Sequence, residues 1–261
     1  MIRGKNIVIT GASSGIGMQL AYQVSQAGAT PILVARSREK LQELVSNVKK
    51  HFAIDASYYV CDVSQENEWK ITMEQIVEDY EQIHVLVNNA GFGLFKPVTE
   101  MKLEEFDQMY HVNVHALIQA SHFFAGHMLH QGEGHIMNVA SQAGKMSTPK
   151  AAGYAATKHA VLGFTHGLRM EVENEGIFVT AVNLGPVKTN FFNTADPGGG
   201  YAKSVDKFML DPTDVAQKMV SKLYQPVREI NLPLWMEWGS RLYRLFPGLM
   251  ESVLKKQFRK K

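Results

Sequence analysis

The stretch Asn6-Ile-Val-Ile-Thr10-Gly11-Ala12-Ser13-Ser14-Gly15-Ile16-Gly17 joins a short apolar run to a segment with helical patterning. A short run rich in Ile and Val is typical of a buried strand. Glycines directly after such a strand let the backbone approach a pyrophosphate, and the helix that follows offers free N–H groups and a positive dipole end. The stretch therefore predicts a strand–turn–helix unit that binds phosphate; a tight turn without a ligand is the alternative.

Apolar runs and helical segments alternate along the rest of the chain. Strands are predicted at Asn6–Thr10, Thr30–Ala35, Ser57–Cys61, Ile83–Asn88, Gly134–Val139, Phe178–Asn183 and Glu229–Leu232. Helices are predicted at Gly15–Ala27, Arg38–His51, Glu66–Tyr80, Leu103–Leu129, Tyr154–Glu175 and Thr213–Tyr224. Strands that are apolar throughout are buried on both faces, and right-handed crossovers make them parallel. The fold class predicted is α/β, a doubly wound parallel sheet of about seven strands with helices on both faces, or Rossmann fold.

Composition excludes several classes of protein. The chain has 261 residues, of which 45% are hydrophobic and 20% charged, as in an ordinary globular protein. The single cysteine, Cys61, excludes an intrachain disulfide and indicates a reducing compartment, so a cytoplasmic location is expected. We expect neither a signal peptide nor a membrane-spanning segment, because no apolar run is long enough.

The net charge of +2 is unevenly distributed. Residues 240–261 contain seven bases and one acid, a net charge of +6, whereas the remaining residues contain 20 bases and 24 acids, a net charge of −4. The acidic body is not a nucleic-acid surface, so no nucleic-acid partner is expected.

The end of the second predicted strand bears on which nucleotide the phosphate turn holds. An NAD site usually presents a carboxylate there to the ribose 2′-hydroxyl. Here the strand is followed by Arg36-Ser37-Arg38, with no acid before Glu39. A guanidinium and a hydroxyl suit a 2′-phosphate in charge and geometry, so NADP is predicted. In the alternative, Arg36 is a solvated residue at a helix start, although a cation there opposes the helix dipole.

A second stretch carries the candidate chemistry: Ser141-Gln-Ala-Gly-Lys-Met-Ser-Thr-Pro-Lys-Ala-Ala-Gly-Tyr154-Ala-Ala-Thr-Lys158. Tyr154 and Lys158 are four residues apart and share one face of a helix. The ammonium is expected to lower the pKa of the tyrosine from about 10 toward neutrality, while Ser141 holds a carbonyl oxygen against the phenol. Such a group can donate a proton to an oxygen that becomes an alkoxide. Alone, however, a Tyr/Lys pair at this spacing is common on solvated helices.

Together these motifs resemble the short-chain dehydrogenase/reductase family in its single-domain form, over the chain to about residue 225. The matches occur in the family's order: Thr10-Gly-x-x-x-Gly15-Ile-Gly17, Asp62, Asn88-Asn89-Ala90-Gly91, Asn113, Ser141, Tyr154, Lys158 and Gly185-Pro186-Val187-x-Thr189. In the last motif the first two residues are inverted relative to the family, while Val187 and Thr189 still fall at the positions of nicotinamide contacts. We expect residues 1–234 to form one oxidoreductase domain, with 235–261 a basic amphipathic extension.

The resemblance implies reversible reduction of a ketone or aldehyde by NADPH, with a small-molecule carbonyl or alcohol as substrate. Ser141 then bonds the carbonyl oxygen, Tyr154 protonates it, Lys158 assists and binds the nicotinamide ribose, and Asn113 holds a water that links Lys158 to solvent. The cofactor-binding residues implied are Gly11, Ser13, Ser14, Gly15, Ile16, Gly17, Arg36, Ser37, Asp62, Val63, Asn89, Ala90, Gly91, Tyr154, Lys158, Pro186, Val187 and Thr189. A homodimer or homotetramer, joined through the helices of Asn113 and Tyr154, is also implied.

Two other functions stay open. The extended branch of the same family, which includes sugar epimerases and dehydratases, also uses Tyr-x-x-x-Lys, although its members are usually longer and their glycine turn differs. The second alternative is an NADP-binding regulatory protein that has lost turnover. The intact set of Asn113, Ser141, Tyr154 and Lys158 is evidence against that alternative.

The C-terminal extension has two interpretations. Leu242, Leu245, Phe246, Leu249, Met250, Val253 and Leu254 recur at helical spacing, and Pro247-Gly248 predicts a break into two short helices. The stripe either packs on its own domain or a neighbouring subunit, or lies on an anionic membrane surface as a peripheral contact.

Two further features are not assigned to ligands. The histidines between His111 and His130 lack the H-E-x-x-H pattern and a third ligand, so no metal is predicted. The segment Asp196-Pro-Gly-Gly-Gly200 follows no strand, and a mobile substrate loop with glycine hinges is expected. The neighbouring Phe191, Phe192 and Tyr201 either line an apolar substrate pocket or anchor that loop.

Overall fold

The computed structural model of the protein describes residues 2–258, with side chains described up to Val253. Its strands form one parallel sheet in the order β3-β2-β1-β4-β5-β6-β7. The strands are β1 Asn6–Thr10, β2 Thr30–Ala35, β3 Ser57–Val60, β4 Val85–Asn88, β5 Gly134–Val139, β6 Ile177–Leu184 and β7 Glu229–Leu232. The predicted doubly wound sheet is confirmed, with strand boundaries within two residues of the prediction.

Helices cover both faces of this sheet. They are α1 Gly15–Gln26, α2 Arg38–Phe52, α3 Glu66–Asp79, α4 Leu103–Tyr110, α5 Ala116–Gln131, α6 Ala152–Val172, α7 Phe191–Ala195, α8 Gly200–Val205, α9 Pro212–Val220, α10 Leu234–Leu245 and α11 Pro247–Phe258. Alternate strand residues point to opposite faces. Accordingly, Ile7 and Ile9 belong to the core on the side of α1 and α2, whereas Val8 belongs to the core on the side of α3 and α5.

The order of the strands decides where a site can lie. Ile7 of β1 pairs with Pro31 of β2 on one side and with Val85 of β4 on the other, so the crossovers leave in opposite directions on either side of β1. Ligands of such sheets bind at the carboxyl ends of the strands, beside this point. Gly11 and Asn89 directly follow β1 and β4 and therefore meet at that edge.

The predicted helical segment Leu103–Leu129 is helical throughout, but it contains one wide turn. This turn, His111–His115, separates α4 from α5, and in it the Ala116 N–H bonds the His111 carbonyl five residues back. Such an expanded turn accommodates one extra residue and often marks a functional position. It is centred on Asn113, whose side chain is 1% exposed.

The tail forms the two short helices that its sequence predicts, α10 and α11. Five residues of the apolar stripe, Leu242, Leu245, Phe246, Leu249 and Val253, are exposed, whereas Met250 is partly buried. The buried side chains of α10 are instead the polar Glu237 and Ser240. Leu254 of the predicted stripe and the bases after it lie outside the described side chains. Between residues 2 and 258, no helix has the length and apolar character needed to traverse a bilayer.

Candidate active site

A continuous cavity of about 2100 Å³ runs along the carboxyl edge of the sheet, from the glycine turn to the C-terminal helices. Nearly all of the predicted site residues line it. They are Gly11, Ser13, Ser14, Gly15, Ile16, Arg36, Ser37, Asp62, Val63, Asn89, Ala90, Gly91, Ser141, Tyr154, Lys158, Pro186, Val187 and Thr189. Gly17 and Asn113 do not line the cavity but lie directly behind its wall.

The glycine turn is packed against the loop after β4. Gly11 has a φ of +66°, which favours glycine, and a Cβ there would lie 2.9 Å from the Ala90 Cα. At Gly17 a Cβ would lie 2.3 Å from the Gly11 carbonyl oxygen, so this position has no room for a side chain. The Thr10 hydroxyl fixes the contact by accepting hydrogen bonds from the N–H groups of Asn89 and Ala90, both at 3.0 Å.

The start of α1 has the donors that a phosphate needs. Within the described residues, the Ser14 side chain makes no capping hydrogen bond, and the first turn contains no acid. The first N–H groups of a helix have no partner inside the helix, and here Gly15 and Ile16 line the cavity. This edge therefore fits a bound pyrophosphate, held by backbone N–H groups and the helix dipole.

The nucleotide end of the cavity carries positive charge. The Arg36 side chain is 80% exposed, with its guanidinium 3.9 Å from the Asp62 carboxylate. Asp62 is also held by Ser64, whose N–H and hydroxyl donate to it at 3.0 and 2.8 Å. Lys40 lines the same end, and the sequence reasoning missed it. Its position four residues after Arg36, one helical turn on, is the signal that could have identified it.

Ser141, Tyr154 and Lys158 meet in the middle of the cavity. Ser141 follows β5, and its hydroxyl donates to the Leu184 carbonyl at 3.2 Å and accepts from the Ala143 N–H at 3.1 Å. Tyr154 and Lys158 lie one turn apart on α6, 9% and 4% exposed, with the ammonium 5.8 Å from the centre of the phenol ring. The Lys158 ammonium donates to the Val139 carbonyl at 2.8 Å. The pair is thus buried in a cavity wall and is not a solvated surface pair.

The expectation that Lys158 lowers the pKa of Tyr154 is not met. Burial raises the pKa of Tyr154 to about 12, and a hydrogen bond with Ser141 opposes this only in part. Burial also lowers the pKa of Lys158 to about 8, since the charged ammonium loses its hydration. Burial therefore favours the protonated phenol and the neutral amine.

The buried lysine predicts a cost in stability. Because its pKa falls from 10.5 to about 8 on folding, Lys158 destabilises the folded state fully below pH 8, and the cost disappears as the pH rises to about 10.5. Lys158→Met should therefore raise the free energy of unfolding at pH 7 by on the order of 2 kcal/mol, with little gain near pH 10.5. Thermal unfolding across this range measures it, with the exposed Lys218→Met as control. A stability gain that is independent of pH would contradict the assignment.

Asn113 steadies the wall behind Lys158. Its carbonyl oxygen accepts from the Phe92 N–H at 3.0 Å, and its amide donates to the Phe92 carbonyl at 2.8 Å and to the Thr157 hydroxyl at 3.1 Å. Gly91 lies against it, because a Cβ there would be 3.0 Å from the Asn113 side-chain oxygen. The wide turn thus brings Asn113 to the loop that follows β4.

Aromatic rings form one wall of the cavity beside Tyr154. The Phe95 ring lies 6.0 Å from the Tyr154 ring, 5.3 Å from Tyr201 and 6.4 Å from Phe191. The aromatic residues around residues 196–200 were predicted either to line a pocket or to anchor the loop, and they do both. Phe192 is buried and packs on Phe95 and Tyr201, while Phe191 and Tyr201 line the cavity.

A buried ionic cluster joins the segment between β5 and α6 to the tail, and the sequence reasoning missed it. The Lys145 side chain is 3% exposed, and its ammonium bonds Glu229 at 2.6 Å, Asn231 at 2.8 Å and also Glu237 of α10. Gly185 adds a close approach, since a Cβ there would lie 2.7 Å from the Met236 sulfur. Consequently α10 is fixed beside the cavity, where Trp235 and Met236 form part of the lining.

Two of the histidines contact neighbouring groups of the protein. His111 bonds the Asp107 carbonyl at 2.7 Å, and His115 lies 5.3 Å from it, ring to ring. The part of the chain that the structure describes contains no group of three or more His, Cys, Asp or Glu side chains able to hold a metal ion.

Comparisons with known proteins agree with this geometry. The short chain dehydrogenase family model matches residues 5–198. An uncharacterized oxidoreductase of Staphylococcus saprophyticus is 32% identical over 225 residues, which cover 86% of this chain and 93% of that protein.

Solved structures extend the comparison to the fold. A variant of the actinorhodin polyketide ketoreductase with NADPH has a TM-score of 0.80 and 29% identity, covering 88% of this chain and 95% of that one. A 3-ketoacyl-(acyl-carrier-protein) reductase from Brucella melitensis, complexed with NADH, has a TM-score of 0.79 and 26% identity over 89% and 98% of the two chains. The chain belongs to the short-chain dehydrogenase/reductase family.

Proposed function

We propose that this protein reduces a ketone or aldehyde to an alcohol with NADPH, reversibly. The observation that supports the proposal is that the buried Tyr154 lies with Ser141 and Lys158 in the same cavity as the glycine turn and the start of α1. When bound, NADPH supplies the hydride for the carbonyl carbon. An NADPH-consumption screen over steroids, fatty-acyl ketones, sugars and small aldehydes tests the proposal.

The roles of the residues follow from their contacts. The Ser141 hydroxyl, held by the Ala143 N–H, turns its proton from the Leu184 carbonyl to the carbonyl oxygen of the substrate and holds that oxygen against the Tyr154 phenol. Tyr154 then gives its proton to that oxygen as negative charge develops there. Lys158 stabilises the resulting phenolate from one turn away, and Asn113 positions the wall behind the lysine. A phenol with a raised pKa favours the protonated form, which reduction requires.

The preference for NADP rests on this chain's own residues, because similar structures bind NADPH in one case and NADH in another. Arg36, Ser37 and Lys40 line the cavity where β2 ends. Two bases and a hydroxyl complement a 2′-phosphate and offer no carboxylate to a ribose 2′-hydroxyl. The ion pair of Arg36 with Asp62 is long and exposed, so it leaves the guanidinium available to a phosphate.

Arg36→Asp should move the cofactor preference toward NAD. Loss of a charge-assisted hydrogen bond and added repulsion should weaken NADPH binding by about 10- to 100-fold while NADH binding changes little. Arg38→Asp is the matched control, because Arg38 is an exposed arginine two residues away that does not line the cavity. Titration of both cofactors against all three proteins measures the preference. Unchanged NADPH/NADH selectivity in Arg36→Asp would show that the 2′-phosphate is held elsewhere.

The aromatic wall supports a substrate with an apolar body. Phe95, Phe191 and Tyr201 stand next to the proposed proton donor, and the tail adds Trp235 and Met250 to the same cavity. Apolar surfaces of this kind stabilise hydrophobic substituents and leave polar sugars with unpaired hydroxyls. We therefore propose carbonyl compounds with an extended apolar substituent rather than sugars.

We further propose that residues 1–234 act as one oxidoreductase domain in the cytoplasm and assemble as a homodimer or homotetramer. The exposed Leu129 of α5 and Met170 of α6 lie on the two helices for which the resemblance implies contact. Analytical ultracentrifugation measures the assembly.

A further inference from the structure

An apolar ridge covers the outer side of the C-terminal helices. It consists of Leu234, Trp238, Leu242, Leu245, Phe246, Leu249 and Val253, each between 47% and 71% exposed. On α10 these residues recur at the spacing of one helix face. A contiguous exposed surface of this kind is unusual on an isolated protein and marks a contact with a partner or a membrane.

The ridge faces outward because α10 is attached by its polar face. Glu237 and Ser240 are 7% and 2% exposed, and Glu237 is bound by the buried Lys145 and, at 2.8 Å, by Arg241. Turning the ridge inward would break this pairing and leave Lys145 buried with one partner fewer. The orientation of the ridge is therefore determined by the body of the protein.

Positive charge accompanies the ridge. Arg241 and Arg244 are exposed on the flank of α10, and Arg241 lies 5.4 Å from the Trp238 ring. The sequence then continues with Lys255, Lys256, Arg259, Lys260 and Lys261. The single acid of residues 240–261, Glu251, accepts a hydrogen bond from Tyr243 at 2.8 Å. A second copy of this chain would bring a net charge of +6 against +6, whereas anionic lipid headgroups complement it.

We infer that this ridge docks on an anionic lipid surface, with the apolar side chains inserted below the headgroups and the bases among them. Amphipathic helices with Trp and Leu on one face and bases at its margin bind membranes in this way. Trp235, Met236 and Met250 line the cavity beside the ridge, so docking brings this end of the cavity to the bilayer. An apolar substrate would then enter from the lipid, a consequence that rests on the proposed function.

Vesicle flotation tests the docking without reference to turnover. The full-length protein is mixed with vesicles of phosphatidylglycerol and phosphatidylcholine, or of phosphatidylcholine alone. The variant Leu242→Glu/Leu245→Glu places two charges on the ridge, outside the cavity. Leu103→Glu is the matched control, because Leu103 is 76% exposed on α4, compared with 71% for Leu245. NADPH binding by each variant verifies folding and separates this test from failure of the proposed reaction.

The native protein is expected to bind the anionic vesicles. This binding should weaken as salt is added, and binding to the neutral vesicles should be weaker still. Binding should fall by about tenfold or more in the ridge variant and stay unchanged in Leu103→Glu. Equal binding of the native protein and the folded ridge variant would overturn the inference. So would a dimer that dissociates in the ridge variant without any vesicle binding by the native protein, because the occupant would then be a second copy.

Discussion

Tyr154→Phe is expected to lower the turnover of carbonyl substrates by about 10³-fold, because it removes the proton donor and leaves the ring in place. The ring packs against Phe95 and Phe191 at 6.0 and 5.6 Å, contacts that phenylalanine preserves. NADPH affinity should change by less than about threefold, since the phosphate-binding turn and Arg36, which are proposed to hold the phosphates, are unchanged in this variant. Single-turnover kinetics and cofactor titration measure the two quantities.

The control for this variant is Tyr22→Phe. Tyr22 lies on α1, where its ring packs 6.4 Å from that of Phe52, and it does not line the cavity. Its loss of a hydroxyl should leave both turnover and cofactor binding intact. If Tyr154→Phe lost NADPH binding as strongly as turnover, Tyr154 would be a binding residue and its role as proton donor would be refuted.

Lys145→Met is expected to cause the largest loss of stability of any single change considered for this protein. It removes the common partner of Glu229 and Glu237. Glu229 is then left with the partly exposed His166 as its ionic partner, and Glu237 with the exposed Arg241. Breaking a buried pair on one side costs about 3–5 kcal/mol. For a chain of this length the midpoint of thermal unfolding should fall by roughly 10 °C.

Lys49→Met provides the comparison, because Lys49 pairs with Asp55 at 2.5 Å with 54% and 85% of the side chains exposed. A surface pair of this kind contributes about 0–1 kcal/mol. The double change Lys145→Met/Glu237→Gln should recover part of the loss, since it removes one of the two carboxylate charges that Lys145 neutralises. If the midpoint of thermal unfolding fell no more in Lys145→Met than in Lys49→Met, the cluster would not hold the tail to the stretch Ser141–Lys158.

Local patterns were sufficient to predict the sheet. Runs such as Asn6–Thr10 contain consecutive apolar residues, here Ile7, Val8 and Ile9, and a strand buried on both faces has that composition wherever it occurs. The glycine turn was equally readable, because it directly follows a strand and directly precedes a helix. The contacts of Gly11 and Gly17 with Ala90 and Asn89, in the loop after β4, were not readable from that local pattern.

Ion pairs between residues far apart in the chain could not be predicted from the sequence. Lys145 lies within the catalytic stretch, yet its partners Glu229 and Glu237 come 84 and 92 residues later, and no local signal connects them. The same pairing explains why the buried side of α10 was not predicted. Its sequence shows an amphipathic helix, but does not show that the polar face is the buried one. The usual assumption buries the apolar face, whereas here a buried lysine holds the polar face.

The spacing of residues in the sequence could not predict the environment of Tyr154 either. A lysine one turn away suggests a lowered tyrosine pKa, but burial acts on both groups. It raises the pKa of Tyr154 to about 12 and lowers that of Lys158 to about 8. Depth in the cavity wall, which the sequence does not express, determines the balance.

Transfer of deuterium from NADPH labelled at the reactive C4 position tests the central proposal most directly. Incubation with apolar ketones and aldehydes, followed by mass spectrometry of the alcohol, should show one deuterium on the carbinol carbon with the native protein and almost none with Tyr154→Phe. Tight NADPH binding without labelled alcohol from any carbonyl compound would contradict the proposal and favour an NADP-binding protein without turnover.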